Sequence, residues 1–332
     1  MKRRVTALIA AALLLAVTAA CGAGEEQGVR ADGSIDLSQV TLRVGDQKGT
    51  GLQALLTAAG QLDDVKYKVT WSQFTSGPPI LEAINAGSLD FGAVGNAPPV
   101  FAAAAGAKIS VVAVAEKGLG GQAVVVPADS PIKTPADLRG KRVAVAKGSS
   151  ANFHLLAVLK KEGLSFGDIQ PQYLQPPDAL AALSSGKIDA WAVWDPYTAQ
   201  AEAQTKARIL VDGEGYANGF EFQITGKDVL ADPARTAALG DWVARIRRAH
   251  QWANEHQDEW TKVFSELTGL DQGIVGTAIK RSSYRDLKLA GDVVEREQLV
   301  ADAFSEEKLI PVSITFADVV DTRFDATLEN PS

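Results

Sequence analysis

The stretch Leu81-Glu82-Ala83-Ile84-Asn85-Ala86-Gly87-Ser88-Leu89-Asp90-Phe91-Gly92-Ala93-Val94-Gly95-Asn96 returns, 99 positions later, as Leu180-Ala181-Ala182-Leu183-Ser184-Ser185-Gly186-Lys187-Ile188-Asp189-Ala190-Trp191-Ala192-Val193-Trp194-Asp195. Leu81 falls on Leu180, Gly87 on Gly186, Asp90 on Asp189, Ala93 on Ala192, Val94 on Val193 and Asn96 on Asp195. A separate block keeps the same offset, with Lys48-Gly49-Thr50 returning as Lys147-Gly148-Ser149. Each copy reads as a strand ending in a Lys-Gly-hydroxyl turn, then a helix, a glycine and a strand that ends in an amide or a carboxyl. In open α/β sheets ligands bind at the carboxyl ends of the strands. Two such edges facing each other predict a two-lobed α/β clamp with its ligand in the cleft.

Working outward, Thr41 to Gly45 and Lys68 to Phe74 read as strands, and Thr50 to Ala59 as a helix from its leucine spacing. Ser76-Gly77-Pro78-Pro79 opens another helix, with proline where the first turn has no use for its N–H. Strands follow at Phe91 to Val94, Val111 to Ala115 and Ala123 to Val126, and Pro127 to Pro131 reads as a crossing between lobes. The second lobe then carries strands at Val143 to Ala146, Ile169 to Tyr173 and Ala190 to Val193. Phe220 to Thr225 reads as the return crossing, and Thr236 to Asn254 as the longest of several helices that cover the first lobe. The expected division is residues 39–127 with 220–332 in lobe I and 128–219 in lobe II. A chain that leaves a lobe and comes back makes a two-strand hinge, and hinge closure around a ligand is the usual behaviour of that plan.

The ends and the composition restrict the setting. Lys2, Arg3 and Arg4 precede the apolar run Val5 to Ala19, which is shorter than the ~20 residues a membrane span needs and reads as a signal peptide over residues 1–20. It stops at Thr18-Ala19-Ala20-Cys21-Gly22, which resembles a bacterial lipobox with Thr18 where Leu is preferred. Cys21 is thus the expected lipidation site, anchoring an extracytoplasmic protein to the bacterial cell membrane through a tether over 21–38. Cys21 is also the only cysteine, so no intramolecular disulfide or cysteine metal cluster is available. Removing the three basic leader residues takes the formal charge from −7 to −10, against nucleic acid as a partner but compatible with a small anion held by local dipoles.

The predicted turns are rich in anion donors. Lys48-Gly49-Thr50-Gly51, Thr75-Ser76-Gly77, Asn96-Ala97 and Gly148-Ser149-Ser150-Ala151-Asn152 all stand where helices begin, and helix starts offer free N–H groups to an anion. The candidate ligand-binding residues are Gln47, Lys48, Gly49, Thr50, Ser76, Gly77, Asn96, Ala97, Gly148, Ser149, Ser150, Ala151, Trp194, Asp195 and Phe222. Trp194 and Tyr197 suit the organic part of a ligand, and Asp195 could accept from a ligand amine or cap a helix. His154, His250 and His256 lie apart in the sequence, the last two read as surface residues, and no nucleophile elbow, metal motif or phosphate loop is present. No catalytic residue, cofactor or metal is expected.

Taken together, Phe74-Thr75-Ser76-Gly77-Pro78, Leu81 to Gly92, Ala97-Pro98-Pro99, Lys147 to Asn152 and Asp189-Ala190-Trp191-Ala192-Val193-Trp194-Asp195-Pro196 resemble the solute-binding proteins of ABC importers in the aliphatic sulfonate, nitrate and taurine group, nearest the alkanesulfonate-binding members. The resemblance implies a type II periplasmic-binding-protein fold, with a mixed sheet flanked by helices in each lobe. It also implies an alkanesulfonate ligand, a monomer, and a cognate permease with its ATPase as partners. Asn96 and Gln73 stand where members commonly carry acids, which is expected to shift the ligand range. Taurine, nitrate or a thiamine precursor as ligand, a sensor role, and a hydrolase on the same scaffold are the alternatives. The desulfinases of that scaffold need a thiol within the fold, which this chain lacks.

Overall fold

A computed structural model describes residues 28–47 and 51–328. The first lobe holds β1 (Thr41–Gln47), α1 (Leu52–Ala58), β2 (Lys68–Phe74), α2 (Gly77–Asn85), β3 (Phe91–Gly95), α3 (Ala97–Ala104) and β4 (Ile109–Lys117). The second holds β5 (Ala123–Val126), β6 (Arg142–Val145), α4 (Ser150–Lys161), β7 (Gln170–Tyr173), α5 (Pro176–Ser184), β8 (Ala190–Val193), α6 (Tyr197–Thr205) and β9 (Arg208–Asp212). The chain returns to the first lobe as β10 (Phe220–Gly226), α7 (Lys227–Ala231), α8 (Pro233–Glu255), α9 (Gln257–Thr268), α10 (Gln272–Lys280), β11 (Tyr284–Leu287) and α11 (Asp292–Glu306).

The two sheets are built alike. The first runs β11-β4-β10-β3-β1-β2 and the second β7-β6-β8-β5-β9. β1 lies parallel to β2 and β3, as β6 does to β7 and β8. β10 is antiparallel to both β3 and β4, and β5 to both β8 and β9. The inserted antiparallel strand in each sheet is therefore the one that arrives from the other lobe.

The 99-residue offset has a side-chain counterpart. Arg43 donates its backbone N–H to Asp90 Oδ2 at 2.8 Å, its Nε to the same oxygen at 2.9 Å, its Nη2 to Oδ1 at 2.6 Å and its Nη1 to the Gly87 carbonyl at 2.6 Å. Arg142 repeats this on Asp189, at 2.8, 3.1 and 2.7 Å, and on the Gly186 carbonyl at 3.1 Å. The fork ties β1 to the turn before β3 and β6 to the turn before β8. Gly87 and Gly186 take positive φ in those turns, which glycine adopts without a Cβ penalty.

Several expected boundaries move. The outgoing crossing is 118–122, not Pro127 to Pro131, and β5 belongs to the second sheet rather than to lobe I. Its glycines explain the placement: Gly118 is pressed on the Arg281 carbonyl, while Gly213 of the return crossing donates to the Leu119 carbonyl at 3.3 Å. The two crossings thus run side by side where side chains would keep them apart. Phe220 to Thr225 is a full sheet strand, and the return crossing precedes it. Residues 28–38, expected to be tether, instead fold onto the first lobe, with Val29, Ile35 and Leu37 against its core. The signal peptide, the rest of the tether and Cys21 lie outside the described residues.

Among the C-terminal helices α8 is longest, started by Asp232, whose carboxylate accepts from the N–H groups of Ala234 and Arg235 at 3.0 Å each. It buries Trp242 against Tyr67, Trp71 and Phe91, ring to ring at 5.6–6.4 Å. That closes the face of the first sheet away from α2 and α3.

The side chain of Asp90 is 1% exposed and that of Asp189 31%. Asp90→Ala is therefore expected to lower the unfolding free energy by about 2–3 kcal/mol, the range for charged hydrogen bonds left unmade in a buried place. Asp189→Ala should lose less, because water already reaches the Asp189 carboxylate, whereas Asp90 is buried and also pairs with Arg235 at 3.4 Å. Urea denaturation of both variants checks the order, and equal losses would contradict it.

Candidate functional site

Between the lobes lies a cavity of about 130 Å³. One water needs roughly 10–15 Å³ by this kind of measure, so the space suits a small organic molecule. Its floor is the pair of crossings, through Gly118, Leu119, Gly121, Gln122 and Gly219. One wall is made of strand ends and helix starts: Gln47 after β1, Gly77 at α2, Gly95 and Asn96 before α3, and Ser149 and Ser150 at α4. The rest of the lining comes from Lys117 and Glu221 of the sheet, Glu221 standing next to Gly95 in the β3–β10 register, from Trp260 and Phe264 of α9, Ala278 and Ile279 of α10, then Arg281 and Tyr284. Trp194 and Asp195 close the second-lobe side.

The first wall is narrower in donors than the sequence suggests. Ser149 donates its hydroxyl to the Ala146 carbonyl at 2.7 Å and accepts from the Asn152 N–H at 3.3 Å, so it is the N-cap of α4. Gly148 gives its N–H to Asn152 Oδ1 at 2.9 Å, faces Phe101 and does not line the cavity. Ala151 is wholly buried in the core. The Ala97 N–H is taken by Asn96 Oδ1 at 2.9 Å. Ser76 is buried and donates to Gln175 Oε1 at 2.8 Å, joined there by Thr75 at 3.0 Å, so this turn bonds to the start of α5 across the lobes. Ser150 has no such engagement and stands at the lobe boundary, its Cβ 2.8 Å from where a Cβ on Gly95 would sit. Gln122 holds the helix start from below, donating to the Ser150 carbonyl at 3.1 Å.

Phe222 is the clearest correction. It is fully buried, packed on Phe316 with ring centroids 5.3 Å apart, while its neighbours Phe220 and Glu221 line the cavity. Lys48, Gly49 and Thr50 lie outside the described residues; Gly51, which follows them, packs on the Phe264 ring. Lys147 instead sits over the Tyr173 ring, 5.6 Å from its centroid.

Asn96 is explained by the return crossing. Its Nδ2 donates to Asn218 Oδ1 at 2.9 Å, and the same oxygen accepts from the Phe220 N–H at 3.2 Å. Asn218 Nδ2 then donates to Glu297 Oε2 at 2.8 Å. Because Phe220 fixes which end of Asn218 accepts, position 96 must supply a donor, and an acid could not. Burial pushes the Glu297 carboxyl well up, the Asn218 bond and Arg296 pulling the other way. Gln73 serves similarly, giving Nε2 to Asp46 Oδ2 at 3.3 Å. Asp46 also accepts from the Leu52 N–H at 3.0 Å, which starts α1.

The charged and aromatic part of the lining was missed from sequence. Lys117 pairs with Glu221 at 3.1 Å and lies over the Tyr284 ring at 5.0 Å. Burial pulls its ammonium pKa down, but Glu221 and then Tyr284 more than reverse this, so Lys117 stays charged. Behind it His250, expected on the surface, is buried, bonds Asp286 Oδ1 at 3.0 Å and stacks on Tyr284 at 4.2 Å. His154 lies in the second lobe with Nε2 2.8 Å from the Asp212 carbonyl, its pKa lowered by burial to about 4. Asp195 Oδ1 accepts from the Ala199 N–H at 3.0 Å; burial pushes its carboxyl up to about 6, against the pull of that bond and of Arg281. No cluster of metal-ligating side chains occurs among the described residues.

A model of the NMT1-like family matches residues 37–266. The chain is 35% identical over 281 residues to an aliphatic sulfonates-binding protein of Escherichia coli (strain K12), spanning 83% of this chain and 87% of that one. Identity is 32% over 336 aligned residues with an aliphatic sulfonates-binding protein of Bacillus subtilis (strain 168), spanning 98% and 96%. Among solved structures, the alkanesulfonate-binding protein SsuA from Xanthomonas axonopodis pv. citri bound to MOPS superposes with a TM-score of 0.78 at 33% identity, over 85% of this chain and 98% of that one. The desulfurization enzyme DSZB shares the fold at 19% identity and a TM-score of 0.63, over 88% of this chain and 99% of that one.

Two neighbouring serines should separate folding from binding. Ser149→Ala is expected to cost about 1 kcal/mol of unliganded stability, as for a lost N-cap. Ser150→Ala should leave the unliganded melting temperature nearly unchanged and weaken the ligand by about 1–3 kcal/mol. Thermal melts and calorimetry on both variants check this, and the reverse pattern would contradict it.

Proposed function

The chain belongs to the NMT1-like family and, within it, to the aliphatic sulfonate-binding proteins, and on that premise we propose that its cleft captures an aliphatic sulfonate outside the cytoplasm and delivers it to an ABC importer. The observation that carries the ligand class is the asymmetry of the cavity. On the wall of helix starts, Ser150 presents an unengaged hydroxyl and Gly77 the start of α2, with no carboxylate between them. A sulfonate keeps its charge at any physiological pH and offers three acceptor oxygens. Helix N-termini and hydroxyls meet such a group without a counter-ion, and the apolar wall of Trp260, Phe264, Ala278 and Ile279 takes the carbon chain. Ser150 and the turn at Lys48-Gly49-Thr50 are the ligand's partners in this reading.

The role is capture without chemical change. The only cysteine of the chain is Cys21, ahead of both lobes, so a thiol mechanism has no nucleophile in the cleft. The partners are the cognate permease and, through it, the ATPase, and the lipid on Cys21 keeps the protein at the membrane.

Isothermal titration with alkanesulfonates, sulfate, nitrate, taurine and thiamine precursors is expected to show one site per chain with sulfonates tightest. A ligand at 100 times its Kd raises folded-state stability by about 2.7 kcal/mol, which thermal shift will register. The bound sulfonate should be recovered intact, and its conversion or a preference for a non-sulfonate would overturn the reading.

Anchoring is tested separately. Cys21→Ser should move the protein from the membrane to the soluble fraction with ligand affinity retained. A variant that stays in the membrane fraction would remove the lipid from the account.

A further inference from the structure

Three buried polar atoms beside the cavity make no hydrogen bond among the described residues, Arg281 Nη1 from the first lobe and Asp195 Oδ2 and Glu202 Oε2 from the second, of which Glu202 Oε2 is met by the Arg281 charge. Arg281, in the segment between α10 and β11, crosses to the second lobe and places Nη2 2.7 Å from Glu202 Oε2 on α6. Its other nitrogen, Nη1, makes no hydrogen bond and lies 3.8 Å from Asp195 Oδ1. Asp195 Oδ1 is occupied by the Ala199 N–H at 3.0 Å, and its Oδ2 makes no hydrogen bond either. Both residues line the cavity. The approach is built in: the Arg281 stem passes over Gly120, 3.7 Å from where a Cβ would stand, and a Cβ on Gly121 would strike Asp195. The nearby cation Lys117 does not compete, being paired with Glu221 at 3.1 Å.

We propose that this pair reads the tail of the ligand and selects a sulfonate that carries a hydroxyl group. The inference rests on the sulfonate reading above and deepens it. A hydroxyl is a donor and an acceptor in one atom, so it can accept from Arg281 Nη1 while donating to Asp195 Oδ2. An alkyl end leaves both atoms unmade in a desolvated place. An ammonium suits Asp195 but faces the guanidinium, and a carboxylate suits Arg281 but faces Asp195. The hydroxyl alone satisfies both and thereby joins α10 of the first lobe to α6 of the second, beside the apolar contact of Ala199 with Ile274 and Ala278.

The test is calorimetry on the wild-type chain with sulfonates of two to four carbons, each with a methyl, hydroxyl, ammonium or carboxylate end. At one chain length the hydroxyl compound should bind at least tenfold tighter than the other three. In Arg281→Met and in Asp195→Asn, each verified as folded by its unliganded melt, that preference should shrink to within about twofold. Sulfonates that bind with no preference for the hydroxyl at any length would overturn the inference and leave the sulfonate reading standing, with a trapped water as the bridge between the two atoms. A hydroxyl preference that survives in both variants would also overturn it. Failure of every sulfonate to bind would overturn the reading itself.

Discussion

Each sheet of this protein is completed by a strand that comes from the other lobe, and the arrangement of the cleft follows from that constraint. β10 bonds along both edges, to β3 and to β4, and β5 does the same between β8 and β9. Removing either would leave two strand edges unpaired in a buried place, where unmet backbone groups are costly. The crossings that deliver these strands must therefore lie together, and they do, with Lys117 N–H on the Gly219 carbonyl at 2.8 Å and Gly213 N–H on the Leu119 carbonyl at 3.3 Å. The cavity forms above them because the carboxyl ends of β1, β3, β6 and β8 converge there. The Arg43–Asp90 and Arg142–Asp189 forks fix the same strands to one another toward their amino ends.

Charge in the cleft is arranged so that the described residues largely balance without a ligand. Lys117 is matched by Glu221, and Arg281 by Glu202 with Asp195 near. Where α2, α3 and α4 begin, the lining residues carry no carboxylate, and Asp46 at the start of α1 is taken by the Leu52 N–H and Gln73. This separates an anion end from a neutralised end within one small cavity. The amides at 73 and 96 fit the same arrangement. Each donates to a group already fixed by the backbone, Gln73 to Asp46 and Asn96 to Asn218, and an acid at either place would set two acceptors against each other. Both amides are in this way held by the structure around them.

Much of the fold was legible because the repeat is carried by residues with a physical task. Gly87, Asp90, Gly186 and Asp189 form the forked turns, so their spacing survives in the sequence. Strand β5 was found at its true limits but assigned to the wrong lobe, since an antiparallel strand inserted from outside leaves no mark of which sheet receives it. At the site, Gln47, Gly77, Asn96, Ser149, Ser150, Trp194 and Asp195 do line the cavity. Ser76, Ala97, Gly148 and Ala151 share their turns but point their groups into caps and cross-lobe bonds, a difference of rotation that residue type does not reveal. Phe222 failed on position along the strand: Phe220 and Glu221, at the start of β10, line the cavity, while Phe222 lies further in and is buried against Phe316. Lys117, Arg281 and Tyr284 were invisible for another reason: they are far apart in sequence and belong to no motif. The return strand and the C-terminal helices bring them together.

The central claim is that a sulfonate sits on the wall of helix starts, and sulfur itself can report it. The chain has one cysteine and one methionine, Cys21 and Met1, so protein produced from Gly22 onward contains no sulfur beyond an initiator residue. Crystals grown with a saturating alkanesulfonate and measured at long wavelength should therefore show one strong anomalous peak in the folded lobes. The account places it between the start of α2 and the start of α4, beside Ser150. A peak beside Lys117 or Arg281, or none at saturation, would contradict it.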